Sequence, residues 1–209
     1  MSESISRRTF LKSGIVAAGT LAAGETAARA AGAPARDQHL ATLIDITRCI
    51  GCGECVAACR EANGHKFPNP KKPFPRMYPD RVKVSDWSDK QDVDDRLTPY
   101  NWLFIQEVTV THGGEEFDLT IPRRCMHCTN PPCVKLCPWG ASRQYQNGIS
   151  RIDTDMCLGG SKCKAVCPWD IPQRQTGDGL YLDLLPSLAG NGIMNKCDRC
   201  YDRVATGGQ

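Results

Sequence analysis

Thirteen cysteines in a chain of 209 residues, gathered into four short runs, constrain the fold more than any other feature of this sequence. The first run is Cys49-x2-Cys52-x2-Cys55-x3-Cys59. The second is Cys125-x2-Cys128-x4-Cys133-x3-Cys137, followed by Pro138. The third is Cys157-x5-Cys163-x3-Cys167, followed by Pro168, and the fourth is the pair Cys197-x2-Cys200. Such density has three chemical uses: disulfides, zinc, or iron–sulfur clusters. Disulfides fit poorly, because thirteen is odd and closely spaced C-x2-C-x2-C loops have poor geometry for pairing. Zinc usually takes two well-separated ligand pairs, whereas these thiols come in threes and fours. His127 is the only histidine inside a run and reads as a packing or surface residue.

Iron–sulfur clusters suit the spacing best. The first run is the bacterial ferredoxin run without its usual following proline. Two-residue gaps wrap a tight loop, so that three thiolates converge on one cubane while backbone N–H groups point at the sulfurs. Gly51 and Gly53 permit the backbone angles this loop needs. The three-residue gap carries Cys59 onto a helical turn facing away, toward a different cluster. An internal repeat supports duplicated units. Ile44-Asp45, Cys49-Ile50-Gly51, Cys55 and Cys59 align at a constant offset with Ile152-Asp153, Cys157-Leu158-Gly159, Cys163 and Cys167. Gly160 stands where Cys52 stands in the first copy, so one ligand is absent from the repeat.

Composition agrees. Hydrophobic residues make up 41% of the chain and aromatics only 7%, a thin core for this length, which bound metal would reinforce. Residues 1–30 read as a twin-arginine export signal: Ser6-Arg7-Arg8-Thr9-Phe10-Leu11-Lys12, a weakly apolar stretch from Gly14 to Gly24, and the small-residue cleavage site Ala28-Arg29-Ala30. Removing them takes away four basic and two acidic residues and leaves a nearly neutral chain, which gives no basis for a nucleic-acid partner. No later segment has the length and apolarity of a membrane helix. Thiolates this dense would oxidise in an oxidising periplasm, so loading in the cytosol and export of the folded protein fit together.

Along the chain, Leu40 to Ile46 reads as a strand and Val56 to Ala62 as a short helix. Residues 64–121 read as an insertion. Its first part, 64–100, is rich in proline and charge. Its second part holds paired strands, Asn101 to Val110 and Glu116 to Ile121, around the turn His112-Gly113-Gly114-Glu115. Ala141 to Asp153 reads as a hairpin with a type I′ turn at Asn147-Gly148. Residues 170–194 read as a connection. Trp139 and Trp169, each following a Cys-Pro, read as core packing beside the loops, with shielding of a cluster from water as the sharper alternative. The expected fold class is α+β: tandem ferredoxin-like cluster modules with short strands, short helices and long loops, over 31–209.

The sequence resembles the four-cluster iron–sulfur subunit of the molybdopterin-oxidoreductase (dimethyl-sulfoxide-reductase) group. Relatives in that group include the electron-transfer subunits of polysulfide reductase, formate dehydrogenase and periplasmic hydrogenase. The matching residues are Cys49 to Cys59 with Arg60-Glu61-Ala62-Asn63, His127-Cys128-Thr129-Asn130-Pro131-Pro132-Cys133, Cys167-Pro168, and Lys196-Cys197-Asp198-Arg199-Cys200-Tyr201-Asp202-Arg203. The resemblance implies that the runs exchange their last cysteines. Cys125, Cys128, Cys133 and Cys167 would hold one [4Fe–4S] cluster. Cys137, Cys157 and Cys163 would hold a three-ligand centre, suited to [3Fe–4S]. Cys49, Cys52 and Cys55 would hold a third, and Cys59, Cys197 and Cys200 would begin a fourth. The family pattern continues past the last pair with two more cysteines, so the chain reads either as C-terminally truncated, the favoured reading, or as carrying a degenerate outer pair.

The resemblance implies a non-catalytic electron-transfer subunit. Its partners would be a catalytic subunit (a molybdopterin enzyme or a hydrogenase) and a membrane quinone-reactive subunit or cytochrome. No nucleophile–base motif or dinucleotide loop is visible. The rival functions are an enzyme using an open-site cluster at the Gly160 gap and a structural zinc module.

Overall fold

The computed structural model describes residues 39–74, 76, 82–184 and 192–206. The proposed export signal lies outside them. The first regular element is α1, Glu54–Asn63. It starts after Gly53 (φ 78°), carries Glu54 in its first turn and Arg60 in its last, as the helix dipole favours, and buries Val56 and Asn63. It begins two residues before the expected start and ends one after the expected end, then tightens into a 3₁₀ turn at Gly64–Lys66.

Among the described residues, no regular element follows until the long hairpin β1 (Leu103–His112) and β2 (Glu115–Arg124), which pair antiparallel with His112 opposite Glu115. Gly113 and Gly114 both have positive φ (62° and 88°), the signature of a type I′ turn that matches the strand twist. The outer half of the hairpin is exposed on both faces, so its sequence does not alternate there. Midway along the hairpin, the Thr120 hydroxyl donates to the Cys49 carbonyl (2.9 Å) and ties β2 to the first cysteine loop.

The remainder is built from very short pieces: α2 (Pro132–Lys135), β3 (Ser142–Gln144), β4 (Ser150–Ile152), α3 (Lys162–Ala165), β5 (Gln173–Gln175), α4 (Leu180–Leu184), β6 (Ile193–Asn195) and α5 (Tyr201–Ala205). Strands β3 and β4 pair with each other, as do β5 and β6, both antiparallel. A strap from the insertion runs along β5. The Thr176 N–H donates to Ser85 O (2.8 Å), the Ser85 N–H to Thr176 Oγ1 (3.0 Å) and the Trp87 N–H to Gln175 Oε1 (2.9 Å).

The core is largely sulfur. One buried cluster combines Ala141, Ile152, Cys157, Cys163, Ile193 and Met194, with Cys133, Cys137 and Met156 packed against it. The other combines Trp102, Cys125, Ile171 and Cys197, with Cys59, Phe67, Leu97 and Cys167. Phe67 meets Trp102 edge-on at 5.6 Å, and the Trp102 indole donates to Pro99 O. This is a small α+β fold of short elements.

Four local expectations need correction. Leu40 to Ile46 forms no strand. Leu40 donates one backbone bond to Asn147 O, no described strand pairs with it, and Leu43 stands 96% exposed. The hairpin at 141–153 forms, but its turn is not type I′. The Gly148 N–H bonds Tyr145 O, the Tyr145 N–H bonds Ile149 O, and Gly148 (φ 79°) is the turn's left-handed residue while Asn147 is not. That is a three-residue loop closed by a bulge. The connection 170–194 contains β5, α4 and the start of β6, which are too short to show periodicity. Trp139 and Trp169 are 58% and 44% exposed and do not belong to the core.

Candidate iron–sulfur centres

All thirteen cysteines are free thiols, and their near neighbours are drawn from more than one run. Their mutual electrostatic influence identifies the neighbours. Cys55 lies beside Cys49 and Cys52. Cys59 lies beside Cys197 and Cys200. Cys133 lies beside Cys125, Cys128 and Cys167. Cys163 lies beside Cys157, Cys133 and Cys137, and Cys157 beside Cys137. Residues four apart on a helix share a face but are offset by about 6 Å along its axis. Helix α1 therefore presents Cys55 to one group and Cys59 to the next. Cys133 and Cys163 sit in the single turns α2 and α3, and Cys137 and Cys167 lie two residues past the ends of those turns.

The groups form a series. Helix α1 joins Cys49/Cys52/Cys55 to Cys59/Cys197/Cys200. Cys197 also feels Cys125, which joins the latter group to Cys125/Cys128/Cys133/Cys167. Cys163 feels Cys133, which joins that group in turn to Cys137/Cys157/Cys163. Gly160 is exposed, and a Cβ placed there would meet nothing within 4 Å.

Backbone and side-chain donors point at the sulfurs. The N–H groups of Gly159 and Met194 lie 3.4 Å from Cys157 Sγ, that of Arg199 3.4 Å from Cys197 Sγ, that of Ile171 3.5 Å from Cys167 Sγ and that of Ser142 3.5 Å from Cys137 Sγ. The buried Asn63 amide reaches both Cys59 Sγ (3.8 Å) and Cys200 Sγ (3.7 Å). Such donors stabilise negative charge on sulfur.

Burial opposes that charge. It pushes the Cys59 thiol up to about 12, with Cys197 and Cys200 adding repulsion and Asn63 working the other way. It does the same to Cys163, also up to about 12, with Cys157 next in effect. Cys55, Cys133, Cys157 and Cys197 are raised as well, burial being the first cause in each. These thiols need a nearby cationic centre to ionise at neutral pH, and thiolate-bound iron supplies one. The donor set thus fits iron–sulfur clusters: soft sulfur ligands in threes and fours, N–H groups aimed at them, and a core too thin without filling. Among the described residues, no three His, Cys, Asp or Glu side chains converge as around a single metal ion.

Two buried residues at the middle of the series were not singled out by spacing. His127 is buried, not a surface residue. Its Nδ1 accepts from the Ser150 N–H (3.0 Å), so its proton sits on Nε2, 3.8 Å from Cys197 Sγ. Burial, then the charges of Lys196, Arg199 and Arg124, lower its pKa to about 2. Lys196 is 5% exposed, with Nζ 3.6 Å from Cys125 Sγ. Both stand beside ligand-type cysteines in the sequence, but only the fold reveals their burial.

Comparison with known proteins agrees with this chemistry. Residues 48–141 match one 4Fe-4S dicluster domain family and residues 117–209 a second. Together the two matches take in residues 48–209, so over that span the chain is similar to 4Fe-4S dicluster iron–sulfur proteins. Within that class it is similar to the B subunit of the anaerobic dimethyl sulfoxide reductase of Escherichia coli (strain K12), at 32% identity over 79% of this chain and 63% of the relative. It is also similar to the formate dehydrogenase-O iron-sulfur subunit of the same strain, at 32% over 83% of this chain and 49% of the relative. With the hydrogenase-2 operon protein HybA of Escherichia coli O157:H7 it shares 30% identity over 94% of this chain and 54% of the relative. The chain thus spans from about half to just under two thirds of the length of these curated relatives.

Proposed function

We propose that this chain is the electron-transfer subunit of an oxidoreductase complex, relaying single electrons and performing no substrate chemistry of its own. Partners of the expected kinds would be a catalytic molybdopterin or hydrogenase subunit on one side and a membrane quinone-reactive subunit or cytochrome on the other. The observation that carries the reading is the series itself. Four thiol groups follow one another through one fold, each joined to the next through a helical turn or neighbouring cysteines. When bound, iron–sulfur clusters supply one-electron redox chemistry with little nuclear rearrangement. The protein's part is to hold the thiolates, aim N–H dipoles at them and exclude water around the middle groups.

The thirteen cysteines divide, on this reading, as the groups do. Cys125, Cys128, Cys133 and Cys167 take a [4Fe–4S] cluster. Cys137, Cys157 and Cys163, with Gly160 in the fourth place, take a [3Fe–4S] cluster. Cys49, Cys52 and Cys55 belong to one further cluster, and Cys59, Cys197 and Cys200 to another. Residues 1–30 direct export of the folded, loaded 31–209 domain to the periplasm, where it sits peripherally at the membrane. No helix among the described residues is long and apolar enough to cross a membrane, so attachment through a partner fits.

Protein purified under argon should be brown, contain iron and acid-labile sulfide, and show several paramagnetic signals on stepwise reduction. Colourless, sulfide-free protein would end the proposal. The Gly160 assignment has its own test. Gly160→Cys needs no backbone change at that position. It should abolish an oxidised-state [3Fe–4S] signal and add one cubane. Persistence of that signal in the fully loaded variant would refute the assignment.

A further inference from the structure

Lys196 is a buried cation in a core that offers it no carboxylate: among the described residues it takes part in no ion pair. Its ammonium donates to the Cys197 carbonyl (3.2 Å) and the Ser150 carbonyl, and points its remaining capacity at Cys125 Sγ, 3.6 Å away. Cys125 belongs to the group with Cys128, Cys133 and Cys167, while Cys197 belongs to the group with Cys59 and Cys200. The lysine stands at the junction of the two inner groups. Its charge favours the thiolate forms of Cys133 on one side and Cys197 on the other. An unpaired buried ammonium is costly unless negative charge lies beside it. Among the described residues, the group bonded to it that can carry negative charge is the Cys125 sulfur.

We propose that Lys196 is a potential-setting residue, whose fixed positive charge at the junction of the Cys125/Cys128/Cys133/Cys167 and Cys59/Cys197/Cys200 groups raises the electron affinity of both centres. The inference rests on the iron–sulfur reading above. Each added electron makes a cluster more negative, so a cation within hydrogen-bond reach of a ligand sulfur favours the reduced state. The outer groups, Cys49/Cys52/Cys55 and Cys137/Cys157/Cys163, have no sulfur bonded to Lys196 and should feel the charge far less. Lys196 touches no substrate; it acts through the sulfurs.

The test compares Lys196→Gln, whose amide can still donate to both carbonyls, with Lys196→Arg, which keeps the charge. Both are assembled anaerobically in the full chain, assayed for iron and sulfide, and titrated potentiometrically with dithionite while each paramagnetic signal is followed. The glutamine variant should lower the one-electron reduction equilibrium of the two inner centres at least about tenfold, 59 mV, and leave the outer ones in place. The arginine variant should titrate like the parent. Loss of iron from the inner groups in the glutamine variant alone would also mark the charge as what the junction requires. Unchanged potentials in both loaded variants, equal shifts at all centres, or failure of both to assemble would make Lys196 a structural residue and overturn the inference. Absence of clusters in the parent protein would instead overturn the function proposed above.

Discussion

Gly192 approaches β5 so closely that a methyl group there would lie 1.9 Å from Gln175 O and 2.7 Å from Thr176 Cα, and its φ is 72°. Gly114, in the β1–β2 turn, shares the positive φ (88°) but would place its methyl in open space. Gly114→Ala should therefore cost only the left-handed backbone penalty, about 1–2 kcal/mol. Gly192→Ala must add displacement of backbone that carries the strap. Thermal scans at one fixed rate should show a clearly larger drop for Gly192→Ala; equal drops would mean that β6 moves away from β5 at little cost. At this scale the sequence was legible wherever chemistry is local. The spacing of Cys49 to Cys59 reports a loop and a helical turn because both are set within about ten residues. Burial is not local. Lys196 and His127 look like ordinary polar residues until Cys125 and Ser150 are folded onto them, and Trp139 and Trp169 look like core until the fold leaves them half-exposed.

The elements themselves are too short to stand alone. Helices of four or five residues lie far below the length at which an isolated helix persists in water, and three-residue strands need tertiary support. This explains why β5, α4 and β6 left no periodic signal, whereas the ten-residue strands β1 and β2, with two glycines between them, were visible in outline. Support for β5 comes from the strap, and the strap is pinned by Asp86. Its carboxylate accepts from the Ser88 N–H (3.0 Å), the Ser88 hydroxyl (2.7 Å) and the Gln175 amide (3.0 Å), and pairs with Lys72 at 3.0 Å. Burial works to raise its pKa, but these donors outweigh it and hold the group well below its ordinary 3.8. A carboxyl group depressed in the folded state contributes stability that is full above the unfolded pKa and is lost as pH falls through the folded one. The strap should stay docked at neutral pH and loosen only below about pH 4. Asp86→Asn should loosen it at every pH and flatten that acid response. Hydrogen exchange at Ser85, Trp87 and Thr176, corrected for the intrinsic effect of pH, reads both outcomes; a strap equally protected in the variant would assign the docking to the backbone bonds alone.

Across the whole molecule the series of thiol groups is unequal at its ends. Cys52 and Cys55 are exposed and Cys49 half-buried, with Ile50 84% exposed beside them. At the opposite end Cys157 and Cys163 are buried in the core cluster formed with Ile152, Ile193 and Met194. Oxidation and ligand loss at sulfur follow exposure, and local opening of a loop requires less free energy than opening of a core. The first group is accordingly the one that solvent and oxidants reach most readily among the described thiols, with the exposed Ile50 beside it. The loaded protein, challenged anaerobically with an iron chelator, should lose the signal assigned to Cys49/Cys52/Cys55 first and that of Cys137/Cys157/Cys163 well after it. Cys52→Ser should delete the early phase and leave the later ones unaltered, because that thiol belongs to no inner group. Simultaneous loss of all signals would show that the centres come apart only when the fold does. The sulfur-built core would then be one cooperative unit, and exposure at the first loop would have no bearing on how electrons or iron leave it.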